Sequence, residues 1–275
     1  MKLRSHILFI GAITLIPILL VVCVQVIFLF RKMREEQLQS LLVTARALSA
    51  ALDRSFEKAI VSLNALSTSR YLQNGDLKTF HEDAKRVLAA HRDADAIVLV
   101  DPQGQQIVNT RVMFGKPLPR GGGTLARAIA QGRTPAVSNL LMGHVVQKPL
   151  VAVGVPVMIA GDLKYVLTMA LSSAFLQRLL EEQRISPEYL CTVVDANKTI
   201  AARSIEIEKY LGKPASQTLA ANSSRMLEGS WIGEPLQFES VYAAHRRSEF
   251  SGWTVALGIP VSKLHRPLWV FLAYV

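Results

Sequence analysis

The sequence predicts an α+β fold in which a transmembrane helix continues into a long helix that supports two tandem modules built on antiparallel sheets. Three observations carry this prediction. Residues 7–30 are an uncharged apolar run. Helical spacing of apolar residues then continues, with no Gly or Pro between Ile18 and Gly75. Finally, one order of strand-like and helix-like segments occurs twice in the remaining chain.

Residues 1–6 are expected to be a short cytoplasmic N-terminus. In the 24-residue run 7–30, Gln25 is the only strongly polar side chain. As a helix the run reaches about 36 Å, enough to cross a hydrocarbon core of about 30 Å, and a helix satisfies its backbone amides in lipid. A cleaved signal peptide has a shorter apolar core and a small-x-small site, whereas this run ends Phe-Leu-Phe-Arg and Cys23 follows Val21-Val22. An uncleaved anchor is therefore expected. From 31 to 73, apolar residues at 38, 41, 42, 45, 48, 52, 56, 59, 60, 63 and 66 mark one long helix. That stripe is wide enough to pack on the sheets and on a second copy of itself, so a homodimer is expected. At the other end, Arg266-Pro267 precedes LWVFLAYV, and residues 266–275 are expected to open a second, truncated membrane helix.

The first module is expected over 74–172. Asn74-Gly75 reads as a helix stop and Asp76 as the next cap, with Leu77, Phe80, Ala84, Val87 and Leu88 on one face of a helix to about Arg92. Residues 96–101 and 105–111 read as a hairpin around Pro102-Gln103-Gly104. A short helix follows at TLARAIAQG, then strands at 136–141, 148–159 and 164–172, the last two joined by a turn at Ala160-Gly161-Asp162. The second module, 173–262, repeats the order with a helix at 173–183, strands at CTVVD and TIAARS, and then SRMLEGSW, LQFESVYAAH and GWTVALGIP. Matching Asp101, Ile107, Arg111 and Gly115-Lys116-Pro117 to Asp195, Ile200, Arg203 and Gly212-Lys213-Pro214 requires only small gaps.

The net charge of +10 resembles that of a nucleic-acid binder until it is partitioned. Residues 1–34 hold five basic side chains and no acid, flanking the apolar run; 35–95 and 172–275 are nearly balanced. Residues 96–171 hold seven basic and two acidic side chains. Half of the excess thus faces lipid and half sits in one segment, so no nucleic acid is expected as partner. The two cysteines, Cys23 and Cys191, form no framework or metal pair. The histidines show no metal spacing, and no HExxH or GxSxG occurs. No metal, no cofactor and no catalytic residue is expected, and hence no enzyme within these residues, although a kinase domain could follow them.

The stretches VLVDPQGQQIVNTRVMFGKPLP, RTPAVSNLLMGHVVQKPLVAVGVPV, VVDANKTIAARS and FSGWTVALGIP resemble the double Cache (tandem PAS-like) extracytoplasmic sensor of bacterial transmembrane histidine kinases. The resemblance covers roughly residues 35–262. It implies a sensor of a two-component system in the bacterial inner membrane, with about 31–265 on the periplasmic or extracellular side, in contact with lipid. It further implies a membrane-distal module that binds a small molecule and a membrane-proximal module that relays the event. A stand-alone tethered solute-binding or accessory protein, or the sensor of a chemoreceptor or diguanylate cyclase, are the alternatives. The Tyr-x-Arg…Trp-Tyr and Asp pattern of amino-acid-binding members is not matched, so the ligand is not carried over.

If ligand binds in the first module, its charge favours an organic acid or other anion. An ammonium group needs an acidic partner, and the acids of 96–171 are Asp101 and Asp162, both at predicted turns. Alternation along strands places Asn109 with Arg111, and Tyr165 with Leu167 and Met169. Arg111 can grip a carboxylate through two parallel hydrogen bonds, with Asn109, Asn139, Lys148 and Tyr165 as further candidate contacts. The competing reading of Arg111 and Lys148 is solvated edge residues. Asp101 and Asp195 are expected to cap turns.

Overall fold

The computed structural model describes residues 2–121, 123–143, 145, 147–183, 185–236 and 240–263, with side chains from residue 16 onward. Residues 266–275, expected to begin a second membrane helix, lie outside the described residues, as do His144 and His265. Helix α1 runs from Lys2 to Ser67. Among the described residues it is the one helix long and apolar enough to cross a membrane, and its most apolar stretch is not buried within the protein. Further along, Leu41, Leu48, Leu52, Phe56 and Leu63 are buried at the expected spacing, whereas Val43 and Val61 are exposed.

The rod expected to reach 73 breaks earlier. The Ser67 and Thr68 hydroxyls donate to the carbonyls of Asn64 and Ala65, so side chains compete with the backbone ladder at the helix end. Ser69 then turns extended before the four-residue α2 (Arg70–Gln73). Gly75, at φ 77°, adopts the left-handed conformation that a helix stop favours. Asp76 accepts from Thr79 N (3.1 Å) and caps α3 (Leu77–Ala89).

The first sheet contains β1 (Ala94–Val100), β2 (Gln106–Asn109), β3 (Ala136–Val137), β4 (Leu141–Met142), β5 (Pro149–Ile159) and β6 (Asp162–Ser172), with α4 (Gly123–Gly132) after β2. Its order is β2-β1-β6-β5-β3, with β4 also on β5, and all pairs are antiparallel. Ala160 and Gly161, both at positive φ, make the two-residue β5–β6 turn. The single strand expected at 136–141 is split into β3 and β4: Ser138 still donates from its N to Ala152 O of β5 (2.8 Å), but residues 138–140 also bond the second module. Trp253 Nε1 donates to Ser138 O (3.1 Å), Ala196 N to Asn139 Oδ1 (3.1 Å) and Leu140 N to Asp195 Oδ2 (3.0 Å).

Ser172 caps α5 (Ser173–Glu182). The second sheet follows: β7 (Leu190–Val194), β8 (Ile200–Arg203), α6 (Ile207–Tyr210), α7 (Gln217–Arg225), β9 (Glu228–Gly233), β10 (Val241–Arg247) and β11 (Thr254–Pro260). Helix α7 absorbs the start of SRMLEGSW, and β9 begins only at Glu228. Strand order is β8-β7-β11-β10-β9. With β3 and β4 counted as one strand, each sheet runs second, first, fifth, fourth, third, which makes the expected duplication a duplication of topology.

The register corrects the residue matching. Asp101 accepts from Gln105 N and Asp195 from Thr199 N, so both cap their turns. Counted from these caps, Val98 pairs Asn109 and Val100 pairs Gln106, while Thr192 pairs Arg203 and Val194 pairs Ile200. Arg203 therefore stands in the place of Asn109, not of Arg111, and no gap is needed. A single hydrophobic core threads both sheets along α1. At its centre the Phe56 ring meets Phe175 (6.1 Å) and Trp253 (5.8 Å) edge-on.

Candidate functional site

The central strands β1, β5 and β6 of the first sheet carry apolar residues on both faces, so alternation divides them between two environments. Ile97 and Leu99 of β1, with Leu167 and Met169 of β6, pack toward α1. Ala96, Val98 and Val100, with Val166, Thr168 and Ala170, face the other way, toward α4 and the β4 segment. There all of them but Val166 help to wall a cavity of about 90 Å³.

The polar part of that wall comes from the end of β2 and the start of β1. Asn109, 4% exposed, donates through Nδ2 to Gln106 Oε1 (2.8 Å) and accepts Arg111 N through Oδ1 (3.0 Å). Arg111 donates from Nε to the Asp95 carbonyl (2.5 Å) and from Nη2 to Asp95 Oδ1 (2.8 Å). Gln106, Asn109, Arg111, Asp95 and Thr168 all line the cavity. Gly104, at φ 87°, lets the β1–β2 turn approach α4 closely, since a Cβ there would stand 3.0 Å from Gly123 Cα.

Two of the five residues singled out in the sequence, Asn109 and Arg111, come together here. Asn139 instead bonds the second module, Lys148 is exposed ahead of β5, and Tyr165 packs on the α1 side of the sheet. Tyr165 shares its face with Leu167 and Met169 as alternation requires, but that is the core face. With both faces apolar, the sequence held no signal for which alternate set met the cavity.

Asp95 was missed because the charge count began one residue after it. It is the acid that 96–171 appeared to lack beside Arg111. Gln106 and Thr168 were missed as ordinary polar strand residues.

Among the described residues no group of three His, Cys, Asp or Glu side chains is placed to hold a metal ion. The Cys191 thiol is fully buried, which pushes its pKa up to about 12, and such a thiol is inert. His81 and His245 contact backbone carbonyls of Val112 and Met226.

No family model matches this sequence and no curated protein matches it. Solved structures do. The extracellular domain of a protein described as a histidine kinase is 12% identical, with TM-score 0.65 over 84% of this chain and 97% of its own. A protein named methyl-accepting chemotaxis protein X is 13% identical, with TM-score 0.69 over 83% and 99%. The sensory domain of the Campylobacter jejuni chemoreceptor Tlp3, solved with isoleucine bound, is 12% identical, with TM-score 0.62 over 86% and 98%. This chain has the fold of these domains, two tandem PAS-like modules of the Cache type, here preceded by its own long, apolar N-terminal helix.

Proposed function

We propose that this chain is the extracytoplasmic ligand-sensing region of a membrane signal-transduction receptor of the sensor histidine kinase type. Residues 7–30 anchor it in the inner membrane, 74–172 form the membrane-distal module and 173–262 the membrane-proximal one. The order of the modules along α1 supports this. Arg34, just past the apolar run, lies 5.3 Å from the Tyr242 ring of β10, and Arg46 holds Glu228 of β9. Ser62, about 42 Å farther along the helix axis than Arg34, contacts His91 of the first module (2.8 Å).

The observation that carries the ligand reading is the Arg111–Asp95 pair, the charged part of a cavity wall whose other polar side chains, Gln106, Asn109 and Thr168, are neutral. Lopsided charge alone pointed to an anion. Asp95 adds the complementary group, so a molecule carrying both a carboxylate and an ammonium group can replace the pair's mutual bonds with its own. A carboxylate on Arg111, an ammonium on Asp95 and a small apolar side chain among Val98, Leu125 and Ala152 describe an amino-acid-like metabolite. Binding shifts the receptor only by its differential affinity for two arrangements of the modules on α1.

The test is calorimetry on the full chain in nanodiscs with L-amino acids, matched carboxylates and matched amines. Arg111→Ala should weaken the best amino acid by roughly tenfold or more, as loss of a charged hydrogen bond does. Binding of amines or neutral sugars alone, or unchanged affinity in Arg111→Ala, would sink the reading.

A further inference from the structure

The second module has its own cavity at the same place in the repeat. It lies on the face of the second sheet turned away from α1, between β7, β8, β9 and α7, and encloses about 60 Å³. At the register position held by Asn109 in the first module it carries Arg203. Arg203 is 2% exposed, yet among the described residues its Nε and Nη1 have no hydrogen-bond acceptor. Tyr210 lies under the guanidinium plane, 4.2 Å from Cζ. That stacking occupies a face of the group and leaves Nε and Nη1 without an acceptor.

Burial pulls the Arg203 pKa below the ordinary guanidinium value, and Tyr210 and Glu206 only partly offset it. A guanidinium nevertheless stays charged in proteins. Leaving a buried cation without an acceptor is costly, so the position makes physical sense when an anion arrives there. A second orphan points the same way. The indole Nε1 of Trp231, a pure donor, is also buried without an acceptor among the described residues, and Trp231 lines the same cavity.

We infer that the membrane-proximal module holds a second ligand site, in which Arg203 and Trp231 receive the carboxylate of a small monocarboxylate with an apolar body. The class follows from the walls. One guanidinium balances one negative charge, Ile200, Leu219, Val241 and Ala256 supply the apolar wall, and the polar side chains beside them, Thr192, Ser216 and Thr218, are uncharged. Exposed Glu234 at the rim repels a second negative charge and so disfavours dicarboxylates and phosphates. This site stands independently of the one proposed for the first module.

The experiment uses the full chain in nanodiscs, titrated with propionate, with its neutral isostere propionamide, and with sodium chloride as the ionic control. Propionate should bind saturably at millimolar concentration, and propionamide and chloride should not. Arg203→Met should weaken propionate by about tenfold or more. It should also leave the empty protein at least as heat-stable, because it removes an unpaired buried charge. Ala256→Leu, which fills the cavity without touching the charge, should abolish binding as well, and Arg111→Ala should leave it intact. Equal binding of propionamide, no saturable binding of propionate, unchanged affinity in either cavity variant, or loss of binding in Arg111→Ala would each overturn the inference.

Discussion

Glu228 takes two guanidinium partners from different elements, Arg46 of α1 at 2.5 and 2.8 Å and Arg246 of β10 at 3.2 Å. The hydrogen bonds from Arg46 are the main reason its pKa falls from 4.5 to about 2. A carboxyl whose folded pKa is depressed stabilises the fold fully above its unfolded value. The contribution is lost as pH falls through the folded value, so the window here runs from about 4.5 down to about 2. Acid unfolding of the full chain should therefore be steeper over that window in the native protein than in Glu228→Gln. The difference should shrink in ~1 M salt, where the Debye length is about 3 Å, because the Arg46 side chain is 49% exposed. Equal acid limbs in the two proteins would show that the pair does not hold the helix to the sheet. Asp95 and Arg111 form a similar pair, but it lines a cavity. Neither pairing was visible from the sequence, since strand register, not spacing along the chain, brings position 95 to 111, and the packing of α1 on the second sheet brings 46 to 228.

At the scale of the element, α1 was the most legible part of the chain because an apolar run and a helical stripe leave few alternatives. Its buried set matches the stripe at Leu41, Leu48, Leu52, Phe56 and Leu63. Its end was less legible, since the hydroxyls of Ser67 and Thr68 stop it in competition with helix propensity. The strand split at 138–140 was invisible for a different reason, its cause being bonds to residues more than fifty positions away. One face of α1 remains open. Val43, Ala47, Ala50, Val61 and Ala65 are exposed and fall within one strip at 3.6 residues per turn. We propose that this strip is the seam of a homodimer. In membranes, Val61→Cys should cross-link two copies on mild oxidation, whereas Asn64→Cys, exposed farther round the helix, should do so less. Equal cross-linking at the two positions would argue for random collision.

For the molecule as a whole, the duplication was legible as an order of segments and not as a residue alignment. Like letters, Arg111 and Arg203, attracted each other across a gap, while the turn caps Asp101 and Asp195 set the true register. The two copies are joined at a place that bears on how they could communicate. Leu141 lines the first cavity. The residues immediately before it, 138–140, bond Trp253, Ala196 and Asp195 of the second module. Trp253, in turn, is fully buried against Phe56 of α1. A ligand that displaces the β4 segment therefore moves the hydrogen-bond acceptor of an indole that rests on the membrane-connected helix. Spatial adjacency alone does not establish coupling, so the prediction is made on the indole itself. With Trp231→Phe and Trp269→Phe leaving Trp253 as the sole tryptophan, an amino acid that saturates the first cavity should shift its emission. Asn139→Ala, which removes one clamp bond without touching the cavity wall, should reduce that shift more than it reduces affinity. Emission unchanged at saturation would mean that ligand-driven motion, if it reaches α1 at all, bypasses the 138–140 clamp.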